Sequence, residues 1–192
     1  MNIIVLVSGG GTNLQALIDT TAVIAAVVSD RPGVFALERA KKAGIAAITE
    51  EPDRRLSKEE RRRELSDRIL SIAREYKAGL IILAGFLSIL QGTILEEYAG
   101  RIINLHPSLL PKYGGPGMYG ERVHQAVLAA GEKESGCTVH LVDEGTDTGQ
   151  ILLQRKVPVL PSDTAESLAE RIHAEEHIAI VEAAAMMIKR LS

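Results

Sequence analysis

The chain has 192 residues, 46% hydrophobic and 24% charged, enough for one domain with a buried core and unlike a disordered chain. Lys and Arg total 22 against 25 Asp and Glu, a net charge of −3, which argues against bulk electrostatic binding of nucleic acid. A single cysteine, Cys137, excludes an intrachain disulfide and suits a reducing cytosol.

In chain order, Asn2–Val7 reads as a buried strand rich in Ile and Val. Gly9–Gly11 is a glycine turn and Thr12–Asp19 a short helix. Val23–Ser29 is a second strand, Phe35–Ala43 a helix stopped by Gly44, and Ile45–Ile48 a short strand. Ser57–Tyr76 is a long charged helix with Leu65, Ile69, Ile72 and Tyr76 on one face. Its Arg61-Arg62-Arg63 run, set among Glu59, Glu60 and Glu64, reads as a solvated face. Leu80–Ala84 and Arg101–Leu105 are continuous apolar strands. Pro111–Gly120 is irregular and glycine-rich, and a helix starts near Glu121. Cys137–Val142 and Ile151–Val159 are strands whose short polar connection, Asp143–Gln150, suits an antiparallel pair. A final helix spans Asp163 to about Lys189, opened by Asp163 and Glu166 at capping-box spacing.

Alternating strands and helices predict an α/β fold: a doubly wound, mostly parallel sheet, Rossmann-like in its N-terminal half, with an antiparallel strand pair in the C-terminal half. The apolar runs Ile3–Val7, Val23–Val28 and Leu80–Leu87 fall short of the about 18 residues that a membrane span needs. No basic stretch with a long apolar core opens the chain, so a cytoplasmic protein without a secretory signal is expected.

Three segments carry candidate chemistry. Ser8-Gly9-Gly10-Gly11-Thr12-Asn13 joins a strand to a helix. Free backbone N–H groups and the helix dipole make such a turn an anion site, and glycine lets the backbone approach a phosphate. It is no Walker loop, and Leu14 stands where a dinucleotide fingerprint needs its third glycine, although Asp30 sits where a ribose-binding acid would. A plain connecting turn is the rival reading. The second segment is Asn104-Leu105-His106-Pro107-Ser108-Leu109-Leu110-Pro111, at the carboxyl end of a strand. Period two puts Asn104 and His106 on one side, an amide donor for a developing oxyanion beside a proton carrier. The third is the turn Asp143–Gly149, whose carboxylates gain interest if one meets His106. His140, alone within a strand, reads as structural. His124 follows the glycine loop, and His173 and His177 lie one helical turn apart. No third ligand cluster accompanies them, so no metal is expected.

Together these segments resemble the glycinamide ribonucleotide formyltransferases, folate-dependent enzymes of purine synthesis. The resemblance runs from Met1 to about Ala185. It is strongest in Ser8–Ala16, Leu83-Ala84-Gly85-Phe86, Asn104–Pro111, Gly136–His140 and Asp147–Ile151. It implies Asn104, His106 and Asp147 as the catalytic set, with Asp147 holding His106. It implies Gly11, Thr12 and Asn13 at the phosphate of glycinamide ribonucleotide. His173, Ala174, Glu175 and Glu176 match a stretch that contacts the same substrate, with Glu176 best placed. Leu87, Ser88, Ile89 and Leu90, with Asn104 and Asp143, Glu144, Gly145, Thr146 and Asp147, match the pocket for the co-substrate 10-formyltetrahydrofolate. The implied protein is one formyltransferase domain over 1–192, monomer or homodimer, with no metal, nucleic-acid or membrane partner.

The sequence departs from that family at Ser88, where Arg is common, at Thr146 and at Val181. The loop Tyr113–Arg122 is longer than usual and reads as a lid or as a connector. A formyltetrahydrofolate hydrolase would share the three catalytic residues but carry a regulatory domain ahead of the first strand. Methionyl-tRNA formyltransferase would need an RNA-binding domain. A non-catalytic nucleotide-binding module would leave Asn104, His106 and Asp147 unexplained.

Overall fold

Ile3, Val5 and Val7 enter one hydrophobic core, Ile4 and Leu6 another, and all five are fully buried. That alternation is the period-two signature of a strand covered on both faces. The strand is β1 (Asn2–Val7), at the centre of a seven-stranded sheet in a computed structural model that describes residues 1–20 and 23–192. β2 (Ile24–Ser29), β3 (Ala46–Thr49), β4 (Ala78–Leu83) and β5 (Ile102–His106) run parallel to it. β6 (Glu134–Leu141) pairs antiparallel with β5, and β7 (Ile151–Pro158) antiparallel with β6, in the order β3-β2-β1-β4-β5-β6-β7.

Helices cover both faces. α1 (Thr12–Thr20), α2 (Phe35–Lys42), α5 (Glu121–Ala129) and α6 (Ala165–Leu191) supply one core through Leu14, Leu37, Val127 and Ile172. α3 (Lys58–Glu75) and α4 (Thr93–Glu97) supply the other through Leu65, Ile69 and Ile94. Leu14, fully buried, explains why that position holds no glycine: its side chain packs in the core. The sheet is doubly wound and mostly parallel, with the antiparallel strands in the C-terminal half as expected.

Two local readings are corrected and one helix is added. α6 is capped by Thr164 and Ser167, not by Asp163 and Glu166. The Asp163 carboxylate is occupied by the Leu160 N–H, the Ser167 hydroxyl and Arg171, so Thr164 takes the capping position. β6 begins at Glu134 rather than Cys137, because Glu134, Ser135 and Gly136 pair with β7 although they lack an apolar signature. α4 was not legible, since five residues are too few for a helical period to register.

Candidate active site

β1 feeds β2 and β3 on one side, and the chain then crosses to β4 on the other. The carboxyl ends of β1 and β4 therefore flank a topological switch point, where open α/β sheets bind ligands. The two ends are tied together. The Ser8 N–H donates to the Gly85 carbonyl at 3.1 Å, and the Leu87 N–H donates to the Ser8 hydroxyl at 2.8 Å. A cavity of about 790 Å³ opens there. It takes in the glycine turn, Leu83–Leu90, the end of β5, much of the Asp143–Asp147 turn, the loop after Gly115, and His173 and Glu176 of α6.

Asn104 and His106 share a face of β5, and the turn after β6 folds back to set Asp147 against both. Asp147 Oδ2 lies 3.5 Å from His106 Nδ1, and its Oδ1 lies 3.5 Å from Asn104 Nδ2. The expected trio does converge. Asp147 adopts φ +58°, a left-handed conformation that Asp tolerates better than most side chains. The turn is closed by Asp143, whose Oδ1 accepts from the Gly145 N–H and the Thr148 hydroxyl. Gly149 is required behind it, because a Cβ there would stand 1.8 Å from the Leu141 carbonyl oxygen.

Burial pushes the Asp147 carboxyl up. A hydrogen bond from His140 when its ring is doubly protonated, the His106 ring and the Gly115 N–H outweigh burial and hold it below the usual carboxylate range. It is an anion at neutral pH. His106 Nε2 lies 2.8 Å from the Tyr113 carbonyl, which only accepts, so Nε2 carries a proton. A second proton on the ring would sit at Nδ1, facing the Asp147 carboxylate.

His140, whose lone position suggested a structural histidine, lines the cavity and contacts Asn104. β5–β6 register sets it opposite Asn104. Its Nδ1 donates to the Leu141 carbonyl at 2.8 Å, so in the neutral ring Nε2 is bare and accepts from Asn104 Nδ2 at 3.1 Å. His140 thereby fixes the amide orientation of Asn104. Nothing in the sequence gives that register, so the pairing was not visible there.

At the glycine turn, Gly9 and Gly10 face open space, whereas a Cβ on Gly11 would meet Ala36 at 2.7 Å. Gly11, at φ +73°, is thus packed tightly against α2, and its backbone lines the cavity together with Gly9 and Gly10. Asn13 Nδ2 donates to Glu176 Oε2 at 3.2 Å, linking the turn to α6. Of the four α6 residues singled out, His173 and Glu176 line the cavity. Ala174 and Glu175 do not, and Glu175 pairs with Arg155 at 2.9 Å.

At the other end, Leu87, Ser88, Ile89 and Leu90 line the cavity, as do Asp143, Gly145 and Thr146, while Glu144 stays outside. Lys58 and Arg62 of α3 also reach it. Arg62 was read as part of a solvated face; the spacing Lys58 to Arg62, one helical turn, was the signal available. Asp30 accepts from the Ser88 hydroxyl at 2.7 Å and lies behind the wall, which removes it as a ribose ligand. The loop Tyr113–Arg122 is bound to the reacting centre: the Gly115 N–H donates to Asp147 Oδ2 at 3.0 Å, and Met118 and Tyr119 line the cavity. No group of three or more metal-ligating side chains occurs among the described residues, and no described helix is long and apolar enough to cross a membrane.

Residues 1–184 match the formyl transferase family. Phosphoribosylglycinamide formyltransferase of Escherichia coli is 41% identical over 183 residues, covering 92% of this chain and 82% of that protein. The trifunctional purine biosynthetic protein adenosine-3 of Drosophila melanogaster is 48% identical over 192 residues, 96% of this chain. The chain spans only 14% of that protein's length. The crystal structure of glycinamide ribonucleotide transformylase 1 from Symbiobacterium toebii superposes with a TM-score of 0.86 at 40% identity, covering 95% of this chain and 85% of that one.

Proposed function

The chain belongs to the formyl transferase family, and we propose that it transfers the formyl group of 10-formyltetrahydrofolate to the amine of glycinamide ribonucleotide, a step of de novo purine synthesis. One observation carries this reading. Asn104, His106 and Asp147 meet within 3.5 Å in a cavity that joins an anion-binding turn to an apolar slot with a cationic rim. The nucleotide phosphate goes to the N–H groups of the Gly9–Asn13 turn. His173 and Glu176 face its ribose and amine. The folate ring lies along Leu83–Leu90, with its carboxylate tail toward Lys58 and Arg62. The continuous sheet and its two cores support a single formyltransferase domain over 1–192.

The amine attacks the formyl carbon, and negative charge gathers on the formyl oxygen. Asn104 keeps one N–H on His140 and turns the other to that oxygen; its 3.5 Å contact with Asp147 is long enough to give up. As the new C–N bond forms, the amine loses a proton. As the old C–N bond breaks, the folate nitrogen gains one. His106 carries that proton, and the Asp147 carboxylate stabilises the ring while it is doubly protonated. Nε2 reaches the substrates when the Tyr113 carbonyl moves aside, which ties loop movement to chemistry.

The direct test supplies the protein with 10-formyltetrahydrofolate and compares glycinamide ribonucleotide, charged initiator tRNA and water as acceptors. Formyl transfer to the nucleotide supports the reading, and turnover confined to either rival acceptor overturns it. Two further outcomes are expected. Lys58→Ala with Arg62→Ala raises the KM for formylfolate about tenfold at low salt, less at high salt, and leaves the KM for the nucleotide unchanged. Met118→Gly with Tyr119→Gly lowers transfer and raises the hydrolysed share of formyl groups if the loop excludes water. An unchanged share with unchanged turnover marks it as a connector.

A further inference from the structure

His124, on α5, has no task in the mechanism above. It is 2% exposed and lines the same cavity as His106, His173 and Glu176. Its Nδ1 is buried with no hydrogen-bond partner among the described residues. Nε2 makes no hydrogen bond there either, and of the two nitrogens only Nδ1 is sealed from the cavity. A buried imidazole nitrogen without a partner is costly, and Val123 and Val127 beside it show that α5 packs well with aliphatic residues. A ligand in the cavity would supply the missing partner.

The ring's surroundings say what kind of ligand atom fits. Burial pushes His124 down to about 4; His173 and, more weakly, His106 act in the same direction, and the Glu121 carboxylate only partly opposes them. The ring is therefore neutral at physiological pH and has one N–H to offer. A sealed N–H without a partner is rarer in proteins than a sealed acceptor, so Nδ1 is the bare nitrogen and Nε2 carries the hydrogen. An anion would draw a second proton onto the ring, against burial and two nearby histidines. A neutral oxygen would not. A nucleotide with its phosphate at the glycine turn and its amine at His106 brings one such oxygen, the glycinamide carbonyl, into the cavity that His124 lines.

We propose that His124 is a positioning residue for the acceptor, donating a hydrogen bond from Nε2 to the glycinamide carbonyl oxygen. This rests on the formyl-transfer reading. Such a bond holds the amine at attacking distance, and it is made equally before and in the transition state, so it acts through binding.

The test is calorimetry and steady-state kinetics on the full chain, with glycinamide ribonucleotide and formylfolate as separate probes. His124→Phe keeps the bulk and removes the donor. His124→Gln places an amide N–H near the position of Nε2. His124→Phe is expected to weaken nucleotide binding and raise its KM about tenfold, with kcat and formylfolate binding little changed. His124→Gln restores most of the loss. Equal nucleotide affinity for His124→Phe and the parent overturns the proposal, as does a parallel loss for both ligands. Failure of the parent itself to bind the nucleotide overturns the functional reading along with it. Should His124→Phe not fold, ¹⁵N spectra of the parent decide: the Nε2–H signal of His124 shifts on adding nucleotide while the ring stays singly protonated. No shift, or a doubly protonated ring, rejects the carbonyl contact.

Discussion

Replacing His106 with alanine, or Asp147 with asparagine, is expected to lower kcat/KM about 10²- to 10⁴-fold, and the double mutant to fall little below the worse single one. The geometry requires this non-additivity. Asp147 acts through the His106 ring, 3.5 Å away at Nδ1, so without the ring its carboxylate has little left to stabilise. Asp147→Asn keeps the shape but removes the negative charge that faces Nδ1. The turn should survive, because Asn also tolerates the φ of +58° at that position. Single-turnover kinetics with melting curves for all three variants make the check. Losses that multiply would show two independent roles, and near-normal turnover in His106→Ala would remove it from the proton path.

Much of the frame was legible because parallel strands announce themselves. Ile3–Val7 and Leu80–Leu83 are unbroken apolar runs, and between strands Gly44 stops α2 and Ser57 caps α3. Asn104 and His106 were legible for a related reason: period two places them together at a strand end, the position where such sheets bind ligands. Their meeting with Asp147 came only from the resemblance. A turn of seven residues gives no hint of the direction in which it folds back. The contact of His140 with Asn104 was not legible because its partner lies on another strand, and pairing register is set by long-range packing. Gly11 shows a subtler limit. Three consecutive glycines look equivalent in sequence, yet two face open space and one faces Ala36. Gly11→Val would therefore disturb packing against α2 before it tested phosphate binding, and Gly10 is the better site for that substitution.

Asn104→Ala is expected to cut turnover about 10²- to 10³-fold, the usual consequence of removing one oxyanion donor. The more informative variant is His140→Ala. Asn104 has two N–H groups, and His140 Nε2 holds one at 3.1 Å. Without that acceptor the amide is free to turn, and its second N–H no longer points reliably at the formyl oxygen. A loss of about tenfold in kcat follows, with both KM values little changed, because the lost interaction belongs to the transition state. The double variant Asn104→Ala with His140→Ala should match Asn104→Ala alone, since His140 then has no amide left to orient. His140→Gln, whose amide oxygen can also accept from Asn104, should recover part of the rate. If His140→Ala instead multiplies the loss seen with Asn104→Ala, the histidine acts through Asp147. Its Nε2 lies 3.5 Å from Asp147 Oδ1, and in a doubly protonated ring it would donate there.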